Sequence, residues 1–306
     1  MERYYSYNHF LREYFGEKLY KICLDGGFTC PNRDGTLASG GCIFCSGGGS
    51  GEFAENSSLP ISEQIRLGKA QTGRKYNGQR YLAYFQAFTN TYAPVSRLRC
   101  LYGEAISQPE IAGLCIGTRP DCVSDEVISL LVEFNQKKPI FIEMGLQTCH
   151  DDTARFLNRA YETEAFTRTC RRLSEAGIRT TAHIILGLPG ENINMEYETI
   201  DYLNTLPIGG IKISMLYILK NTVLADYYSR HPFPILSMDE YIDHLLGCLS
   251  RLRKDIVVER MTGDGPKNLV ITPKWIFHKR LVLNSIHKEM KNRNFMQGGS
   301  LCQKNL

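Results

Sequence analysis

Six short apolar runs alternate with amphipathic stretches across the middle of the chain, at residues 19–25, 80–88, 112–117, 139–146, 179–186 and 210–218. Near-continuous apolarity over such lengths is the pattern of a strand covered on both faces. Helical periodicity falls between the runs, at 62–76, 94–106, 124–135, 151–177 and 195–206, with Gly177 at the position of a helix C-cap. Strand–helix alternation predicts an α/β fold: a parallel sheet with right-handed crossovers. Six such units can curl into a partial (β/α)6 TIM-like barrel, with an open doubly wound sheet as the competing architecture. In a barrel, ligand-binding residues gather at the C-terminal ends of the strands.

The 306 residues suffice for one large barrel or two ordinary domains, and 43% hydrophobic with 22% charged residues is ordinary for a globular chain. The expected organisation is an aromatic N-terminal arm (1–18), a barrel core (19–237) and a helical C-terminal extension (238–306) available for substrate. A net charge of +4 is too small to diagnose a nucleic-acid partner. The start of the chain carries Arg3, Arg12 and Glu13 without an apolar h-region, and nowhere do 18 apolar residues run together. A cytoplasmic protein with no membrane association is expected. Its eleven cysteines are then reduced thiols rather than a disulfide framework.

Only one group of cysteines is closely spaced. Cys30, Cys42 and Cys45 form a C-x11-C-x2-C pattern directly after the first predicted strand, interleaved with Gly35, Gly40, Gly41 and the Gly/Ser run at 46–51. Glycine lets the backbone wrap something bulky. Three thiolates suit a [4Fe–4S] cluster with one iron left open, since cluster irons favour soft sulfur ligands. A structural zinc site is the alternative, but it wants four ligands, and the nearest fourth candidate, Cys23, lies on the preceding strand.

Cys30-Pro-Asn-Arg-Asp-Gly followed by Gly-Gly-Cys42-x-x-Cys45 resembles the radical S-adenosylmethionine (SAM) superfamily. Its long first spacer, in place of the common C-x3-C-x2-C, is similar to the Elongator-catalytic-subunit-like group and its YhcC/YtqA-type members. Further matches run from Tyr84 to Pro94, Gly117 to Asp121, Glu143 to Gln147, Asn158-Arg159, Gly187 to Glu191 and Lys212 to Thr222. The resemblance spans about residues 5–300 and implies a cluster on Cys30, Cys42 and Cys45. It also implies SAM as cofactor, cleaved by an electron from the cluster to a 5′-deoxyadenosyl radical. Gln86, Thr89, Asn90 and Thr91 would line the methionyl side of SAM, and Arg119 with Asp121 would reach SAM or substrate. Glu143 and Gln147, taken to end the fourth strand, would hold the ribose or amino group. Gly187 and Gly190 would let the backbone approach the adenine, which Leu216 and Ile218 would meet through packing or main chain. Taken without the resemblance, the Arg-Pro-Asp turn also reads as a helix start and Gly187 to Gly190 as a plain turn. Ser214 departs from the usual His, and Cys149 from the usual Ser. Cys149 and Cys122 read as inert thiols. Cys100, Cys115, Cys170, Cys248 and Cys302 show no C-x2-C spacing, so no second cluster is expected.

Between residues 267 and 293 seven basic side chains face one acid, Glu289. A helix-like stretch at 275–291 aligns Val282, Ile286 and Met290 as an apolar stripe. Such a face can track a phosphate backbone, or be merely solvated. The resemblance implies tRNA as substrate, with a wobble-uridine side chain converted from 5-carboxymethylaminomethyl toward 5-aminomethyl, and an electron donor such as flavodoxin or ferredoxin. A small-molecule or porphyrin-like substrate, and a non-enzymatic iron–sulfur or zinc RNA-binding module, are the other readings. The oligomeric state is not indicated.

Overall fold

The apolar runs form strands that pair in chain order. In the computed structural model, which describes residues 2–49, 51–73 and 78–303, they are β1 (Tyr20–Leu24), β2 (Tyr81–Phe85), β3 (Ile111–Thr118), β4 (Ile140–Gln147), β5 (Arg179–Leu186) and β6 (Gly210–Met215). The run expected at 210–218 is divided: β6 stops at Met215, and Ile218 belongs to a separate two-residue strand, β7 (Ile218–Leu219). A further strand not foreseen from the sequence, β8 (Val257–Arg260), pairs in parallel with β6, so seven parallel strands run β1-β2-β3-β4-β5-β6-β8. A sheet ordered strictly by sequence has no reversal of winding, which makes it the curled half-barrel rather than the doubly wound alternative. β7 pairs antiparallel with β9 (Val270–Thr272).

Helices α1 (Tyr7–Phe15), α2 (Ile61–Thr72), α3 (Val95–Ser107), α4 (Asp125–Asn135), α5 (Asp151–Phe156), α6 (Thr163–Glu175) and α7 (Ile193–Asn204) precede α8 (Val223–Arg230), α9 (Met238–Arg251), α10 (Lys279–Asn292) and α11 (Gly299–Gln303). The outward residues of the strands, among them Ile22, Phe85, Ile116, Met144, Ile184 and Ile213, are buried with Leu98, Leu130, Phe166 and Ile200 of the helices in one core. Period two then places Lys21, Glu143, His183 and Lys212 on the inner face. α1 closes the N-terminal end of that interior. Ser6 caps it, Gly16 ends it at φ 78, and Phe10 and Leu11 pack on Leu82, Phe141 and Val257. The aromatic arm is therefore a plug.

Two expectations need correction. The stretch 151–177 is two helices, because Asn158 and Ala160 take left-handed φ of 52 and 60 and turn Arg159 inward. The stretch 275–291 begins as a 3-10 turn at Lys274–Phe277 before α10, although Val282, Ile286 and Met290 are buried as predicted. Gly177 does take the left-handed conformation, at φ 70. Residues 74–76 of the helical stretch expected at 62–76, Ser50, Met1, residues 304–306 and the side chain of Cys302 lie outside the described residues. Among the described residues no helix is long and apolar enough to cross a membrane.

Candidate active site

Cys30, Cys42 and Cys45 lie on the long loop between β1 and α2, at the C-terminal end of the sheet. Backbone contacts hold the loop. The Ile43 N–H donates to the Leu157 carbonyl at 3.0 Å, and the Leu224 N–H to the Ile43 carbonyl at 2.9 Å. Ile43 and Phe44 thereby join the apolar cluster of Leu157, Leu188, Leu216, Ile218 and Leu224. The intervening Gly41 sits at φ 82, where a Cβ would meet the Arg33 side chain at 2.8 Å.

Asn158 and Asn32 complete the clamp. The Asn158 amide donates to the Gly41 carbonyl at 2.8 Å, and the Asn32 amide donates to the Asn158 carbonyl at 2.6 Å and to Cys42 Sγ at 3.6 Å. Arg159, 1% exposed, donates to the carbonyls of Leu146 (2.6 Å) and Thr148 (2.9 Å) and pairs with Asp151 at 3.0 Å. The cysteine loop is thus tied to the end of β4 through one turn. The Asn158-Arg159 motif was visible in the sequence, but its positioning role was not, because the partners are up to 126 residues away.

Burial, with Cys45 next in weight, pushes the Cys42 thiol up to about 12, against the nearby Arg119 cation. Burial also raises the Cys45 thiol, against Arg33, whose guanidinium donates to the Cys45 carbonyl at 3.3 Å. Such thiols ionise only for a strongly electrophilic partner, as metal ligands do. Among the described residues no three Cys, His, Asp or Glu side chains are gathered tightly enough for a single metal ion.

The remaining predicted residues fall mostly at strand ends, as expected. Thr89, Asn90 and Thr91, after β2, are buried. The Thr89 N–H donates to the Thr29 carbonyl at 3.2 Å, beside Cys30. Asn90 donates its side-chain amide to the Gly117 carbonyl at 2.7 Å, leaving its buried Oδ1 without a partner among the described residues. Thr91 Oγ1 meets Thr118 Oγ1 at 2.6 Å. Gln86 follows β2 directly and is half-buried. Gln147 ends β4 at a bulge with φ 61, and it too is half-buried.

Arg119 is already engaged, by Asp121 at 2.8 and 3.0 Å and by the Arg159 carbonyl at 2.9 Å. Gly187 and Gly190 take φ of 79 and 83 in the turn after β5. The Leu216 N–H donates to the Leu186 carbonyl at 2.8 Å, and Ile218 is fully buried opposite Thr272. Glu191, in the same turn as Gly190, carries a buried Oε1 without a hydrogen bond among the described residues, and burial raises its pKa against Thr148 and Thr153. Cys122 and Cys149 are held protonated, chiefly by burial, in keeping with inert thiols.

Glu143 is the exception. It sits four residues before the end of β4, not at it. Its carboxylate receives Lys21 Nζ at 2.6 Å, His183 Nε2 at 2.9 Å and Lys212 Nζ. Burial opposes its ionisation, but Lys21, Lys212 and His183 outweigh that and hold it well below the carboxylate range. Burial, ahead of other causes, lowers His183 to about 4 and Lys212 to about 8. Glu259 completes the network through Lys21 at 3.3 Å and Thr181 at 2.6 Å. Period two puts this ionic layer between the α1 plug and the cysteine loop.

The turn after β5 is also held from outside. The Gly187 N–H donates to Glu196 Oε1 at 2.7 Å, and His244 Nδ1 lies 2.7 Å from Glu196 Oε2. The Glu196 hydrogen bond, opposed by burial, raises the His244 pKa above the ordinary 6.5. This contribution to stability is complete below pH 6.5 and disappears as pH rises through the folded-state value. Melting curves between pH 6 and 8.5 are expected to show wild type losing its advantage over His244→Gln with rising pH; parallel curves contradict this.

Comparison with known proteins bears on the whole chain. The model of the Radical SAM superfamily matches residues 30–203, and that of the Radical_SAM C-terminal domain matches residues 208–292. The uncharacterized protein YtqA of Bacillus subtilis is 42% identical over 297 residues, covering 97% of this chain and 92% of that protein. Protein YhcC of Escherichia coli is 33% identical, covering 94% and 92%. A tRNA uridine(34) acetyltransferase of Methanocaldococcus infernus is 23% identical over 161 residues, 52% of this chain and 30% of that one. Among solved structures, the M. infernus Elp3 lacking its N-terminus superposes with a TM-score of 0.69 at 15% identity, over 91% of this chain and 64% of that one, a likeness of fold.

Proposed function

The chain belongs to the radical SAM superfamily, and on that premise we propose that it acts on the wobble-uridine side chain of tRNA, taking 5-carboxymethylaminomethyl uridine toward 5-aminomethyl uridine. The family uses a [4Fe–4S] cluster and SAM, and the residues present fit both. Three half-buried thiols share one clamped loop, and a buried acceptor without a partner among the described residues, Asn90 Oδ1, stands at the neighbouring strand end. Cys30, Cys42 and Cys45 would hold the cluster. When bound, the pair supplies a 5′-deoxyadenosyl radical that abstracts hydrogen from the side chain; the hard chemistry is the cofactor's.

The protein's part is positioning. Asn90 Oδ1 would accept from the amino group of SAM, with Gln86, Thr89 and Thr91 beside it. Gln147 would face the ribose. Gly190, with open space where a Cβ would stand, would let the backbone approach the adenine, while Gly187 turns the chain under Leu236, and Leu216 and Ile218 would serve as apolar backing. Arg119 is assigned to holding the Asn158-Arg159 turn under the cysteine loop, and Glu143 to the ionic floor, so neither is placed on SAM.

The substrate assignment is carried by similarity to the tRNA uridine(34) acetyltransferases over 161 residues. Charge supports it. Of the basic residues at 267–293, Lys279 pairs with Asp264 and Arg293 with Asp243 and Glu289, whereas Lys267, Arg280, Lys288 and Lys291 are exposed without a partner among the described residues. Four free cations along one segment suit a phosphate backbone. An unpaired loop with its base splayed outward is the form in which such a substrate reaches a recessed site. An electron donor such as flavodoxin or ferredoxin is part of the same proposal.

In a deletion strain, nucleoside analysis of tRNA is expected to show the carboxymethylaminomethyl form accumulating at the expense of the aminomethyl form. An unchanged wobble profile refutes the assignment.

A further inference from the structure

Among the described residues, one cation beside the ionic floor makes neither an ion pair nor a hydrogen bond. Arg260, the last residue of β8, is half-buried, and its Nε is wholly buried without a hydrogen bond; among the described residues it makes no ion pair. A guanidinium withdrawn from water is costly unless an acceptor meets it. Its neighbours are held: Lys21 and Lys212 lie on Glu143, Lys21 also on Glu259, and Arg179, whose Nε is likewise buried without a partner among the described residues, donates to the Gly209 carbonyl. Both floor carboxylates are thus taken by Lys21 and Lys212, and neither is left to Arg260.

Its position faces the site. Arg260 is the register partner of Lys212. Burial first, then Arg260 on one side and Glu52, Asp264 and Cys45 on the other, set the pKa of Tyr217, so Tyr217 lies within electrostatic reach of both Arg260 and a cluster cysteine. Tyr217 itself packs over Gly263, three residues beyond Arg260.

We infer that Arg260 is the recognition residue for a carboxylate on the substrate, held at the β6–β8 edge of the chamber within reach of the reacting group. A guanidinium fork matches a carboxylate in two parallel hydrogen bonds, with a geometry that a lysine cannot reproduce. A guanidinium left without an ion pair calls for a carboxylate. The side chain proposed above ends in one, –NH–CH2–COO⁻, and the product of the conversion lacks it. Arg260 accordingly distinguishes substrate from product. This inference deepens the preceding reading and rests on it for the identity of the carboxylate.

Two measurements on the cluster-loaded protein test it separately from that reading. In the first, wild type, Arg260→Gln and Arg260→Lys turn over tRNA bearing 5-carboxymethylaminomethyl uridine. At least a tenfold rise in KM is expected for Arg260→Gln with kcat within about twofold, and a smaller rise for Arg260→Lys, a loss of roughly 1.4 kcal/mol or more. Wild-type turnover with an unchanged KM in Arg260→Gln overturns the inference and leaves the tRNA reading standing. In the second, thermal shift is read with N-methylglycine, which carries the same amino-carboxylate end, against its amide. Stabilisation by the acid alone, lost in Arg260→Gln, is expected. If wild type fails on the tRNA yet shows this dependence, the tRNA reading falls and the carboxylate subsite stands. Equal shifts in wild type and Arg260→Gln, or none in either, overturn the subsite. Arg260→Lys, which keeps the charge, controls for misfolding of the Gln variant.

Discussion

Cys42→Ala protein, prepared without oxygen, is expected to lose its iron and sulfide and to form no 5′-deoxyadenosine from SAM, with or without tRNA. Cys42 receives the Asn32 amide at 3.6 Å and sits one residue before Ile43, whose backbone pins the loop at both its N–H and its carbonyl. Removal of the thiol therefore takes away a ligand while leaving the loop's anchors in place. The effect should exceed the roughly 10–100-fold that loss of a supporting hydrogen bond costs a metal site. Circular dichroism should be unchanged, which separates ligand loss from unfolding. Full iron content and turnover in Cys42→Ala, or a wild-type metal held by four protein side chains, would leave the radical chemistry without an origin.

The second large effect concerns stability. Glu143→Ala strands Lys212 in the barrel interior and leaves Lys21 with Glu259 alone, where the Glu143 side chain is 1% and the Lys212 side chain 7% exposed. Breaking a buried pair by removing one partner costs about 3–5 kcal/mol, most of it the uncompensated charge. Urea denaturation should show a loss of that size. Adding Lys212→Met to Glu143→Gln removes one ammonium with the carboxylate and should recover a large part of it. A Glu143→Ala cost near that of an exposed ion pair, about 0–1 kcal/mol, would show that water reaches the floor. The same variants bear on the cofactor. If Glu143 is floor and not SAM ligand, SAM affinity follows the stability of the fold rather than the presence of the carboxylate.

This assignment of Glu143 could not come from the motif that contains it. On the sequence it stands close to Gln147, and a polar residue in an apolar strand asks for a partner. That partner was assumed to be the cofactor, whereas the fold supplies three of its own, from β1, β5 and β6. The seventh strand was missed for a related reason. Val257–Arg260 is four residues long, half of them charged, and neither length nor alternation distinguishes it from a loop end. Its pairing with β6 makes it a strand, and the ionic floor makes use of Glu259.

Spacing along the chain was enough to identify the thiol triplet and the strand–helix rhythm, since both are properties of near neighbours and follow from covalent geometry and from the periods of helix and strand. The break at Asn158 was marked only by a short motif. Its cause, the inward turn of Arg159 to the carbonyls at the end of β4, belongs to the folded chain. Compensation of charge is the most remote of these properties. Lys21 and Glu259 are separated by 238 residues, and only curling of the sheet brings them to 3.3 Å. Which cations are paired, and that Arg260 is not, is therefore settled by closure in three dimensions, where Coulomb forces depend on distance through space rather than on separation along the backbone.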